Sequence, residues 1–256
     1  MRNELHKFES KLLGRIFEYR ILIPEGNNLP SLYLLHGFNG DHDTWLQHTS
    51  LVPLATKYGV AVILPSCGNR FYQDTNEESM KSFLGSELIA EISGKHPTIS
   101  NDKKRRYLAG VSMGGFGAAL VGFHHKDNFE KIASLSGAFI QHALAIGDPW
   151  VLGPADPIAL RKVFGDFQTL EGSERDPVGI VKRAGTVPPI YLLCGIQDPL
   201  YYPNLRFRQQ LLDLNADVTW DEVAGGHSWD VWSQHLEKVI QWIINANNAE
   251  NIYLDS

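Results

Sequence analysis

The sequence predicts an α/β fold in which a mostly parallel sheet of about eight strands carries helices on both faces. Three observations lead there. Short apolar runs without polar alternation, such as Ser31 to Leu35 (SLYLL) and Val60 to Leu64 (VAVIL), suit strands covered on both sides. Helical patterns separate most of these runs, and strands that alternate with helices imply a parallel sheet. Finally, Gly110-Val111-Ser112-Met113-Gly114 lies where a strand-like segment gives way to a helical one.

Taken in order, Leu5 to Phe8 and Ile16 to Ile23 read as two antiparallel strands joined through Leu13-Gly14. Phe17, Tyr19, Ile21 and Ile23 alternate with polar or smaller residues, as in a half-buried pair. Ser31 to Leu35 and Val60 to Leu64 follow. Tyr107 to Val111, Ile132 to Leu135 and Ile190 to Cys194 repeat their character, and Val218 to Val223 closes the series. The clearest helix is Trp229 to Ile244, with Trp229, Trp232, Leu236, Val239, Ile240 and Ile243 on one face. An antiparallel pair first and a serine turn after the fifth strand is the order of the α/β-hydrolase fold. One stretch breaks the alternation: 138–187, which carries Gly147-Asp148-Pro149-Trp150, Gly153-Pro154 and Asp176-Pro177. Asp176 before Pro177 reads as a helix cap, with Gly185 ending that helix. The expected organisation is one domain over 1–256 with a small insertion at about 138–187 above the active site and a polar surface tail from Asn245.

At 256 residues, 43% apolar and 20% charged, the chain can bury a sizeable core. Its net charge of −6 argues against nucleic acid or an anionic membrane as the main partner. No apolar run reaches transmembrane length, and MRNELHKFES lacks the apolar segment of a secretory signal. Cys67 and Cys194 are too few for a disulfide scaffold and lack metal-type spacing. A cytoplasmic protein with a small-molecule partner is expected, and homo-oligomerisation is left open.

The chemistry centres on Ser112. G-x-S-x-G describes a nucleophile elbow, a sharp turn that exposes the serine and brings strand and helix close together. A serine hydroxyl needs a base, an orienter for that base and donors for the oxyanion. In an α/β hydrolase the acid and the histidine follow the serine in the chain. Asp198 stands just past the strand-like Ile190 to Cys194, and His227 stands between the last strand and the last helix. Each alone is an ordinary turn or loop residue; order and placement select them. Asp217 and Asp221 fall before or within the last strand, and His124, His125 and His235 lie on helices. The oxyanion donors would be the backbone N–H groups of Met113 and of Phe38, in His36-Gly37-Phe38-Asn39-Gly40. His36 itself reads as a structural residue of that loop.

Trp45, Phe71, Tyr72, Phe139, Trp150, Tyr201 and Trp229 lie near loops expected at the catalytic edge. Of these, Trp45, Phe139, Trp150 and Trp229 are the candidates for substrate contact, with core packing the competing role. Cys67 reads as a buried, inert thiol. Asp41-His42-Asp43 reads as a polar loop, because adjacent residues cannot converge on a metal. No metal and no organic cofactor is implied.

The segments LLHGFNGDHDTW (34–45), AGVSMGGFGA (109–118), SLSGAF (134–139), LLCGIQD (192–198) and GGHSWDVW (225–232) resemble the esterase D-like family of α/β hydrolases. The likeness is greatest to tributyrin esterases, and less to S-formylglutathione hydrolases and feruloyl or acetylxylan esterases. It implies Ser112 as nucleophile, Asp198 as acid and His227 as base, in a serine carboxylesterase for small soluble esters with short acyl chains. An S-formylglutathione hydrolase or other thioesterase, a feruloyl or acetyl-carbohydrate esterase and an acyltransferase are the alternatives on the same scaffold. The proline-cysteine-proline-tryptophan segment of the S-formylglutathione hydrolases is missing from this insertion, which matches no substrate-specific pattern.

Overall fold

A computed structural model of the chain describes residues 1–148 and 157–245. Eight strands form one sheet in the order β1-β2-β4-β3-β5-β6-β7-β8. These are β1 (Arg2–Ser10), β2 (Arg15–Ile23), β3 (Ser31–Leu35), β4 (Ala61–Pro65), β5 (Arg106–Val111), β6 (Lys131–Leu135), β7 (Ile190–Gly195) and β8 (Val218–Val223). β1 pairs antiparallel with β2, and β2 with β4; every other neighbouring pair is parallel. β1 runs further than the apolar segment Leu5 to Phe8, because its ladder with β2 continues through exposed polar residues. Such residues, including the Lys7–Glu18 ion pair, suit an edge strand, where they discourage pairing with another chain.

Helices cover both faces of the sheet. α1 (Thr44–His48) and α2 (Leu51–Tyr58) connect β3 to β4, and α3 (Met80–Ser82) runs through a π-helical turn at Phe83–Glu87 into α4 (Leu88–Lys95). α5 (Met113–His124) follows β5 directly. Between β6 and β7 lie α6 (Gln141–Ile146), α7 (Pro157–Phe164) and α8 (Pro177–Ala184), and α9 (Tyr201–Asp213) and α10 (Trp229–Ile244) complete the chain as described. α8 begins as its sequence predicts: Asp176 accepts the Val178 N–H at 3.1 Å, and Pro177 occupies the first turn. Gly185, at φ 71°, ends it. None of the described helices is long and apolar enough to cross a membrane.

Two apolar layers form on opposite faces. One gathers Phe17, Tyr19, Phe83, Phe116, Leu120 and Phe123; the other gathers Leu34, Trp45, Val62, Leu193, Trp232 and Ile240. Each fully buried large apolar side chain contributes about 1.5–3 kcal/mol relative to exposure. α5 is buried from Met113 through Phe123, which explains its nearly uniform apolarity. This helix is therefore fixed by packing on all sides, and so is the turn that precedes it.

Candidate active site

The strand order reverses between β4, β3 and β5, and open α/β sheets bind ligands beyond the carboxyl ends of strands at such a point. The β3–β5 register pairs Leu35 with Gly110, so the loop beginning at His36 lies beside the turn at Ser112. Val111 pairs with Leu135, Leu135 with Leu193, and Gly195 with Val223. Segments 36–38, 112, 136, 198 and 227 thus emerge at one sheet edge.

Ser112 adopts φ 56° and ψ −118°, a conformation that costs a non-glycine residue about 1–3 kcal/mol. Its surroundings hold it there. The Ser112 N–H donates to the Leu135 carbonyl at 2.9 Å, and its carbonyl accepts from the N–H groups of Phe116 and Ala138. A Cβ at Gly110 would meet the Gly114 backbone, and one at Gly114 would lie 2.5 Å from the Leu35 oxygen and 2.6 Å from the His36 oxygen. Both positions require glycine because backbones cross there. The hydroxyl is left part-exposed at the start of α5.

His227 Nε2 lies 2.9 Å from Ser112 Oγ, and His227 Nδ1 lies 2.9 and 3.1 Å from the two Asp198 oxygens. A carboxylate can only accept, so Nδ1 carries the proton and Nε2 is free to accept from the serine. The Asp198 side chain is fully buried and also accepts the Leu200 N–H at 2.7 Å. The loops bearing acid and base are tied together: the Gln197 N–H donates to the Gly225 carbonyl, and the Gly225 N–H donates to Gln197 Oε1. This arrangement can move a proton from a serine hydroxyl onto an oriented imidazole. Asp221, the rival acid, is already engaged by the Tyr191 hydroxyl and by Lys238 at 2.8 Å, which holds its carboxyl below the usual carboxylate range against the opposing effect of burial.

Gly37 approaches the elbow closely, since a Cβ there would stand 3.5 Å from the Ser112 Cβ. Among the described residues, neither the Phe38 N–H nor the Met113 N–H donates to another group of the chain. His36 organises this loop. It is wholly buried, its Nδ1 donates to the Gly37 carbonyl at 2.7 Å, and its Nε2 accepts the Cys67 N–H at 3.0 Å. Burial lowers its pKa despite the Gly37 bond, which suits a neutral ring that both donates and accepts. The Tyr72 hydroxyl donates to the His36 carbonyl at 2.7 Å. Tyr72 is therefore a support for the loop, on a ring that is 1% exposed, and offers no ligand surface. Cys67 is buried, and burial pushes its thiol well above the ordinary range.

The aromatic candidates divide. Trp45, expected at the catalytic edge, is a core residue: it is 0% exposed, its Nε1 donates to the Leu35 carbonyl, and its ring meets Trp229 edge-on at 5.1 Å. Its place in the sequence, ten residues past the end of β3, gave no sign that α1 turns it inward. Trp229 is partly exposed and stacks on His48 at 4.7 Å, and Phe139 stacks on Phe207 at 3.6 Å. Phe71 is 6% exposed, and Tyr201 donates its hydroxyl to Glu222. Trp150 lies outside the described residues. Asp43 pairs with Arg20, and Asp41 accepts from the Asp43 N–H and the Thr44 hydroxyl, so that loop is held by its own hydrogen bonds.

The sequence places Trp232 only on an apolar helix face. Its ring meets that of His227 at 4.8 Å and 88°, and its Nε1 donates to Ser136 Oγ at 2.9 Å. Ser136 is wholly buried at φ 50°, with its N–H donating to the Leu193 carbonyl at 2.7 Å. No sequence pattern links residues 136, 232 and 227; the link depends on β6 lying between β5 and β7.

This fold and this serine, histidine and aspartate geometry define an α/β hydrolase of the serine type. Residues 10–243 match the family model described as "Esterase: Putative esterase", and the chain belongs to that esterase family. An acetyl esterase of Caldicellulosiruptor saccharolyticus is 36% identical over 231 residues, covering 88% of this chain and 86% of that protein. Among solved structures, FphF, a fluorophosphonate-binding serine hydrolase of Staphylococcus aureus, superposes with a TM-score of 0.86 at 24% identity, covering 96% of this chain and 99% of that one. The S-formylglutathione hydrolase FrmB of Staphylococcus aureus gives 0.84 at 24% identity, with 95% and 99% covered. The chain is an enzyme of the serine-hydrolase type that acts on ester bonds.

Proposed function

We propose that the chain hydrolyses small esters with short acyl groups through an acyl-enzyme on Ser112. The observation that carries this reading is the unbroken series Ser112 Oγ, His227 Nε2, His227 Nδ1, Asp198, with each contact near 2.9 Å. Ser112 attacks the ester carbonyl while His227 takes its proton, and Asp198 holds the Nδ1–H tautomer and stabilises the imidazolium. The N–H groups of Phe38 and Met113 donate to the tetrahedral oxyanion. His227 then returns the proton to the leaving alcohol, and water, activated by the same imidazole, releases the acid. Phe139 and Trp229 are the aromatic groups proposed to contact substrate. The chain works as one hydrolase domain with an insertion at about 138–187, and the two free cysteines suit a reducing, cytoplasmic setting.

A tributyrin-like preference for short acyl chains is the first reading, and its support is the identity shared with an acetyl esterase. Hydrolysis of a thioester such as S-formylglutathione is the second, favoured by the extent of the likeness to the FrmB hydrolase. Both place a small acyl group on Ser112, so one experiment separates them. An acyl-length series of p-nitrophenyl esters is run beside S-formylglutathione. Turnover that peaks at acetyl to butyryl and exceeds the thioester supports the first; faster thioester turnover supports the second. Best turnover on long acyl chains would contradict both.

A further inference from the structure

The loop carrying the proposed oxyanion donor Phe38 also borders a cavity of about 850 Å³ that residues of α7 line as well. Phe38 is 45% exposed and lines it, and the preceding Gly37 lies against the nucleophile, where a Cβ would stand 3.5 Å from the Ser112 Cβ. The lining is strongly basic: Arg70, Arg161, Lys162 and Arg175 face one carboxylate, Glu77. Arg70 pairs with Glu77 at 2.5 Å and with the neighbouring Glu78 at 3.3 Å, which accounts for it. Arg161 lies 4.5 Å over the Phe167 ring and has no ion pair among the described residues. Among the described residues, Lys162 and Arg175 have no ion pair and no side-chain hydrogen bond.

Arg175 is held in place by its backbone. Its carbonyl accepts from Gln73 Nε2 at 2.9 Å, its N–H donates to Ser173 Oγ at 3.1 Å, and Gln73 is 0% exposed. A Cβ at Gly165 would collide with its guanidinium, so the glycine makes room for that group beside the cavity. A chain of net charge −6 has thus gathered Arg161, Lys162 and Arg175, none of them in an ion pair among the described residues, along one substrate-sized space, with Glu77 as the one carboxylate of the described lining. Such a concave patch focuses a positive potential on whatever enters.

We propose that this cavity is an anion-recognising subsite, and that the preferred ester carries a carboxylate or phosphate on the arm that extends past Phe38. The proposal rests on Ser112 as the nucleophile. The guanidinium of Arg175 forms a charge-assisted, forked contact with the anion, and Lys162 adds a point charge.

The test compares matched esters on the wild type and on Arg175→Gln and Lys162→Gln, singly and together. Phenyl acetate is set against 4-acetoxybenzoate and 4-acetoxyphenyl phosphate, and p-nitrophenyl pentanoate against mono-4-nitrophenyl glutarate. The ratio of kcat/KM for the anionic ester to that for its neutral partner should fall about tenfold in Arg175→Gln, mainly through KM. The benzoate, phosphate and glutarate arms report which anion is favoured and whether it sits on the alcohol or the acyl side. In the wild type, added salt should raise KM for the favoured anionic ester and spare the neutral one, a readout that needs no variant. Ratios equal in wild type and variants, with no salt dependence, would overturn the subsite while leaving the esterase reading intact. Absence of turnover on the neutral esters would count against the esterase reading instead.

Discussion

Ser112 sits in a backbone conformation that few residues adopt, and Gly110 and Gly114 permit it because bare backbones cross on either side. Gly114→Ala places its Cβ against the carbonyl oxygens of Leu35 and His36, which cannot swing aside as a side chain would. The expected outcome is a loss of at least about 2 kcal/mol of stability or of the folded elbow, read by denaturant unfolding together with esterase assay. The Trp232 ring stands edge-on to His227 and is tied to Ser136, a geometry that predicts a positioning role for it. Trp232→Phe keeps a ring beside the imidazole but removes the bond to Ser136, and should lower kcat about tenfold with KM little changed. A stability loss with no change in kcat would reduce Trp232 to packing. That Ser112, Asp198 and His227 come within hydrogen-bond distance could be expected from the chain, because each sits in a short motif beside a strand end. Ser136 and Trp232 could not, since their contact exists only once three strands are in register.

At the scale of elements, the strands were legible because buried parallel strands write themselves as unbroken apolar runs. β1 was underestimated because an edge strand tolerates charge, so its ladder outruns its apolar pattern. The stretch 138–187 announces itself by its prolines and glycines, but nothing in the chain announces the basic cavity: Arg70 follows β4, Lys162 lies on α7 and Arg175 precedes α8, and they meet only in the fold. The packing of α5 on the helix through Phe83–Glu87 yields a further prediction. A Cβ at Gly85 would overlap the His125 imidazole. Alanine gains about 1 kcal/mol of helix propensity over glycine, whereas forced overpacking costs about 1–3 kcal/mol. Gly85→Ala should therefore destabilise the protein, and Gly85→Ala with His125→Ala should recover much of the loss in a double-mutant unfolding cycle.

For the molecule as a whole, buried neutral imidazoles set an acid limit. Burial, reinforced by His124 and Lys81, lowers the His125 pKa from its ordinary 6.5 to about 4. The unfolded chain then takes up a proton that the folded chain refuses. This stability is fully present above pH 6.5 and is lost as pH falls toward 4. After allowance for solvent screening, His125 should account for about 1–2 kcal/mol of lost stability at pH 5. Denaturant unfolding at pH 7 and pH 5 should show that loss, and His125→Asn should flatten the slope. His36, also held neutral by burial, adds to the same trend, and its protonation would break the bond it accepts from Cys67.

The central claim, that ester hydrolysis runs through an acyl-enzyme on Ser112, is tested most directly by p-nitrophenyl acetate turnover of wild type and Ser112→Ala, with fluorophosphonate adducts located by mass spectrometry. The account predicts one adduct on Ser112 in the wild type, none in the variant, and a fall in kcat of at least about 10⁴-fold. Turnover by Ser112→Ala at the wild-type rate would contradict it.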